Sequence, residues 1–119
     1  MGRKSRKNGP YFYILAPTIE IANDFARLNG IRGHEWLGVR TVEDFRGIDG
    51  TGKLLMVVAP DALEHRPHYD ALINSDWLRA LVTEWAYRGG SHVTVRFSEA
   101  NSERLTVLIA ATRGEAYQK

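Results

Sequence analysis

The chain contains no cysteine, which excludes a disulfide framework, a thiolate nucleophile and a zinc–thiolate centre. The absence also suits a reducing compartment. No apolar run approaches the roughly 20 residues of a membrane span, and the N-terminus lacks the apolar stretch of a signal peptide. A cytoplasmic protein with no membrane contact is therefore expected. There is no G-x-S-x-G, no H-E-x-x-H and no G-x-G-x-x-G, so the best-marked serine-nucleophile, zinc-protease and dinucleotide signatures are missing. Proline occurs only four times, at positions 10, 17, 60 and 67.

One motif is nearly present. Gly47-Ile-Asp-Gly-Thr-Gly52-Lys53 fits G-x-x-x-x-G-K, but Leu54 stands where a phosphate-binding loop needs a Ser or Thr for Mg²⁺. A working loop of this kind also opens a helix, whose N–H groups cradle phosphate. Here Leu54-Leu-Met-Val-Val-Ala59 follows, which reads as a buried strand. The Asp49-Gly50 pair then reads as a turn into that strand.

The 119 residues suit a single domain, and the 44% hydrophobic content is enough to build a core. The net charge of +2 hides a split. Residues 1–10 hold Arg3, Lys4, Arg6 and Lys7 and no acid, while the rest carries 12 basic against 14 acidic residues and sits at −2. The body is thus not a basic nucleic-acid binder by bulk charge. Residues 1–9 are expected to be a disordered tail, having nothing apolar to bury. Its four cations are candidate nucleic-acid contacts, with a solubilising tail as the plainer reading. The domain should span residues 10–114, with residues 115–119 frayed.

Tyr11–Ala16 is an aromatic and β-branched strand bracketed by Pro10 and Pro17. Thr18 can cap a helix over Ile19–Asn29 whose apolar face is Ile21, Ala22, Phe25, Ala26 and Leu28, ending at Asn29-Gly30. Trp36–Arg40 is a short second strand, and Thr41 caps a single turn over Val42–Arg46. Leu54–Ala59, apolar on both faces, belongs at the centre of a parallel sheet. Tyr69–Arg88 is helical with a break near Ser75, and Leu78, Leu81, Val82 and Trp85 form its apolar stripe. His92–Phe97 alternates as a strand. Leu105–Ala110 reads as a last strand in a C-terminal hairpin, while a helix over residues 98–112 competes, because Ala and Glu favour helix and Ser98 can cap. The order is β-α-β-β-α-β-β, a small Rossmann-like three-layer α/β domain with a mainly parallel sheet.

Two strands end alike, Ile14-Leu-Ala-Pro-Thr18 and Val57-Val-Ala-Pro-Asp61. In a parallel sheet Thr18 and Asp61 emerge at the same C-terminal edge, where doubly wound folds bind ligands. The following segment adds Glu64, His65, His68 and Asp70, types suited to metal ligation or acid–base chemistry, although Pro67 denies the two histidines a common helical face and a solvated loop is the plainer reading. These residues, Thr18, Asp61, Glu64, His65 and His68, are the ligand-edge candidates. No metal site or cofactor is assigned. Among the aromatics Trp36, Tyr69, Trp77, Trp85 and Tyr87, Trp85 belongs in the core. Trp77, with Arg79 and Arg88, is a candidate surface for a protein or for nucleobases.

Ala16-Pro17-Thr18-Ile19-Glu20-Ile21-Ala22 resembles the Pro-Thr-Arg-Glu-Leu-Ala element of superfamily 2 helicases, with Ile19 in place of the arginine. The likeness covers seven residues. It implies a RecA-like or Rossmann-like half domain without the motor, since a complete Walker A sequence and an Asp-Glu box are both missing. In its brevity and layout the chain is similar to small accessory proteins of bacteriophages. The expected function is non-enzymatic binding of a macromolecular partner, protein or nucleic acid. The alternative is a small nucleotide- or phosphate-handling enzyme using the sheet edge. An exposed Trp77 would favour the former and a concave pocket joining Thr18 to Asp61 the latter.

Overall fold

A computed structural model describes residues 10–59 and 76–114. Strand β1 (Phe12–Leu15) is buried at all four positions, as an aromatic and aliphatic segment between two prolines should be at the heart of a sheet. Pro17 ends it, and Thr18 starts helix α1 (Ile19–Leu28) by accepting a hydrogen bond from Ile21 N at 3.1 Å. Ala22, Phe25 and Ala26 form the buried face of α1, whereas Leu28 is half exposed and lies off it.

Strand β2 (Trp36–Gly38) leads into a short 3₁₀ turn, Val42–Phe45, and then to β3 (Leu54–Ala59). Helix α2 (Asp76–Tyr87), β4 (Ser91–Arg96) and helix α3 (Glu103–Arg113) complete the order. The sheet runs β2-β1-β3-β4 with every pair parallel; Phe12 stands opposite Trp36 on one side and Leu54 on the other, and Leu54 opposite Ser91.

Alternation along the strands divides the core into two. Phe12, Ile14, Met56, Val58 and Val95 pack under α1 and α3, through Phe25, Ala26, Leu105 and Ile109. Tyr13, Leu15, Leu55 and Val57 pack under α2 and the 3₁₀ turn, through Leu81, Trp85 and Phe45. The chain is thus an α/β domain with helices on both faces of a four-strand parallel sheet. Trp85 is fully buried between Tyr13 and Phe45, at 4.9 and 4.8 Å between ring centroids, and its Nε1 donates to Ser91 O at 2.7 Å. A side chain on Gly90 would stand 2.2 Å from that indole, so the tight turn after α2 depends on glycine.

The C-terminal hairpin expected from the sequence is not formed. Leu105–Ala110 lies inside α3, and among the described residues the order is β-α-β-β-α-β-α. Ser102 rather than Ser98 is the cap, accepting from Leu105 N at 3.3 Å, and Gly114 closes the helix in the left-handed conformation at φ 82°. Leu105 and Ile109 point at the sheet, one helical turn apart. The β-branched content of Thr106, Val107 and Ile109 had mimicked a strand, but the caps and the i, i+4 spacing prevail.

The expected tail, the frayed C-terminus and the segment from Pro60 to Ser75 lie outside the described residues.

Candidate ligand-binding cleft

At the C-terminal edge of the sheet, three departures from the strands leave a gap between them. After β1 the chain turns at Ala16-Pro17 into α1 on one face. After β2 it passes through Gly38-Val39-Arg40-Thr41 into the 3₁₀ turn on the other face. The first turn of α2 brings Trp77 and Leu78 to the same edge. The gap is a cleft of about 450 Å³ whose lining includes Ile14, Pro17, Thr18, Gly38, Arg40 and Trp77. It sits where the sheet order reverses, β2 on one side of β1 and β3 on the other, so the connections diverge and leave a crevice for geometric reasons.

The electrostatics follow from the backbone. Thr18 occupies the N–H of Ile21, while the N–H groups of Ile19 and Glu20 make no hydrogen bond among the described residues. They carry the positive end of α1. The Asp44 carboxylate accepts from Arg40 N at 2.7 Å and Thr41 N at 3.0 Å, so those two amides are taken. The Arg40 guanidinium, in contrast, is exposed and has no ion-pair partner among the described residues. Trp77 is half buried and packs against the core cluster on the α2 side of the sheet. The cleft therefore has a polar wall, from the start of α1 and the exit of β2, and an apolar wall from α2.

Of the ligand-edge candidates, Thr18 lines this cleft; Asp61, Glu64, His65 and His68 lie outside the described residues. Trp77 faces the cleft and is half covered. Arg79 is exposed two residues further along α2. Arg88 lies beyond the far end of that helix, about 16 Å from Trp77 along the axis. It binds Glu84 at 2.7 Å and donates to Ile48 O at 3.2 Å, which holds the turn before β3. The tail cations Arg3, Lys4, Arg6 and Lys7 lie outside the described residues. Sequence reading missed Gly38, Arg40 and Thr41. The signal was available: Arg40 follows β2 as Thr18 follows β1, but β2 lacks the Ala-Pro stop that drew attention to the other two strands.

The G-x-x-x-x-G-K segment lies at the opposite, N-terminal edge and enters a strand, as its following residues implied. Asp49 Oδ1 accepts from Thr51 N at 3.0 Å, and Lys53 N donates to Gly50 O at 2.9 Å. A Cβ on Gly50 would meet Gly90 N at 2.9 Å, so close packing of two turns accounts for that glycine.

The groups whose titration is perturbed are not among the cleft's lining residues. Glu35, before β2, is held below its ordinary value of 4.5 chiefly by hydrogen bonds from the Arg113 guanidinium. Burial raises Tyr13, whose hydroxyl has no hydrogen-bond partner among the described residues. Among the described residues, no three His, Asp or Glu side chains gather as a metal site, and no helix is long and apolar enough to cross a membrane. Comparison of the chain with family models, curated proteins and solved structures gives no match.

Proposed function

We propose that this protein binds a small phosphate-bearing molecule, of the nucleotide or phosphate-ester type, in the cleft at the C-terminal sheet edge. The carrying observation is the cleft itself. Its volume of about 450 Å³ falls in the range of small-molecule sites, and it combines apolar walls with a few polar groups. Arg40 and the amino end of α1 supply positive potential there, which suits an oxyanion. The parallel order β2-β1-β3-β4, with helices on both faces, supports a Rossmann-like reading of the fold and the same location for the ligand.

The test is calorimetric titration of the full chain with nucleoside mono-, di- and triphosphates, beside Arg40→Ala. Binding is expected in the micromolar range, and the variant should weaken it about three- to tenfold, the low end reflecting solvent screening at an exposed cation. Equal affinity in the variant would remove Arg40 from the site, and no binding by any phosphate ester would overturn the reading.

A second reading, docking of a macromolecular partner, draws on one observation. Ile19, Leu37 and Val42, three exposed large apolar side chains, lie in the cleft lining or beside it in sequence. A partner that competes with a bound nucleotide would favour it.

A further inference from the structure

Resting on the proposal that the cleft binds a phosphate-bearing molecule, we infer that its ligand carries a flat aromatic ring seated against Trp77, as a nucleoside monophosphate does, and that Gly38 keeps the cleft wide enough to admit it.

Size is the first argument. A cleft of about 450 Å³ has room for about fifteen waters at roughly 30 Å³ each. An inorganic phosphate displaces only a few of them and leaves the rest against Ile14, Leu15 and Trp77, where water gains little. A ligand that fills the volume must bring an apolar body together with its charge.

The state of Trp77 is the second. Trp85 is fully buried, with two ring contacts and a hydrogen bond from Nε1. Trp77 has none of these. It is half buried, and among the described residues its ring meets no other ring and its Nε1 donates to no acceptor. An indole placed in a cleft wall, with its ring and its N–H unpaired among the described residues, is suited to stacking a planar ring and offering one donor to it. It lies on the α2 wall, while Thr18 and Arg40 are on the polar wall. One molecule with a ring at one end and an anion at the other spans both.

Gly38 is the third. Its φ is not in the left-handed region, so the backbone does not require glycine. A Cβ there would lie 3.1 Å from Ile19 Cδ1, another lining atom. A larger side chain at this position projects into the space beside Ile19 and narrows the mouth.

The experiment titrates the full chain with adenosine 5′-monophosphate, guanosine 5′-monophosphate, adenosine and inorganic phosphate, using calorimetry and quenching of tryptophan fluorescence. Trp77→Leu, Trp77→Phe and Gly38→Leu are run in parallel, with circular dichroism and melting curves to establish that each is folded. The monophosphates are expected to bind at least tenfold tighter than phosphate and to quench fluorescence. Trp77→Leu should lose about tenfold in nucleotide affinity with phosphate affinity unchanged, and Trp77→Phe should recover most of it. Gly38→Leu should lose nucleotide binding and keep phosphate. If phosphate binds as well as the nucleotides, or Trp77→Leu leaves nucleotide affinity intact, the ring site is overturned and the phosphate reading stands. If none of the four probes binds, both fall. Should Gly38→Leu prove unfolded, the Trp77 pair decides the matter alone.

Discussion

Glu35 is the one charged side chain buried among the described residues, and its surroundings explain how that is tolerated. Its two oxygens accept from Arg113 Nη2 at 2.8 Å and Nε at 3.0 Å, and Oε1 also takes Arg32 N at 3.0 Å. Arg113 further donates to Gly30 O at 2.9 Å and lies over the Phe12 ring. A single pair thus joins the last turn of α3 to the loops before β2, more than 75 residues away in sequence. Because the folded-state pKa lies below 4.5, the unfolded chain takes up the proton first as pH falls. The contribution of Glu35 is present above pH 4.5 and is lost as the pH drops through the folded value. Glu35→Gln is expected to destabilise by about 1–3 kcal/mol at pH 7, with the gap to the parent chain closing below that window. Urea unfolding at pH 7 and pH 3 measures it. An undiminished gap at low pH would locate the effect in packing rather than charge.

At the scale of elements, local chemistry was legible where two signals agreed and misleading where they conflicted. Pro10 and Pro17 bounded β1, Thr18 marked the start of α1, and the apolar run Leu54–Ala59 matched β3 at both ends. In Leu105–Ala110 an apolar, β-branched run suggested a strand while Ser102, Glu103 and Gly114 encoded helix caps. The run alone carries only a weak helical period, the i, i+4 pair Leu105 and Ile109, because the apolar Val107 and Leu108 lie between them. Tertiary context decides: β4 is already an edge strand parallel to β3, and the sheet face above Val58 and Val95 needs a cover. The cap is then a measurable part of that decision. Ser102→Ala should cost about 1 kcal/mol, seen as a melting point lower by several degrees in a domain of this size. No change would mean that packing of Leu105 and Ile109 alone holds the first turn.

For the whole molecule, the sequence pointed to the C-terminal sheet edge, where Thr18 lines a cleft, and was silent on the rest of that cleft's lining apart from Trp77. Two Ala-Pro stops placed strand ends together, and the parallel sheet brings Thr18 to the crevice that such stops imply. Arg40 and Gly38 were missed because a three-residue strand leaves a weak pattern and its exit has no proline. That Trp77 shares the cleft with them follows only from the way α2 crosses β3 and β4, a relation between elements far apart in the chain. The glycine-rich segment that dominates the sequence by motif lies at the other end of the sheet, where the packing of Gly50 against Gly90 explains it.

The position of β1 in the sheet has a consequence for synthesis. It precedes β2 and β3 in the chain, yet it lies between them, with Phe12 opposite Leu54. A chain growing from its N-terminus must therefore present Phe12–Leu15 with its β3-facing edge unpaired until a segment roughly 40 residues later has emerged, about 2–8 s at roughly 5–20 residues per second. In that interval α1 can shield one face of the strand but nothing can satisfy its edge, and an exposed apolar edge recruits other chains. A fragment ending at Gly52 is expected to be protease-sensitive and prone to aggregation, and one ending at Gly114 resistant and monodisperse, by limited proteolysis and light scattering. The nascent protein should accordingly be most dependent on chaperones before the strand that completes this sheet's centre exists.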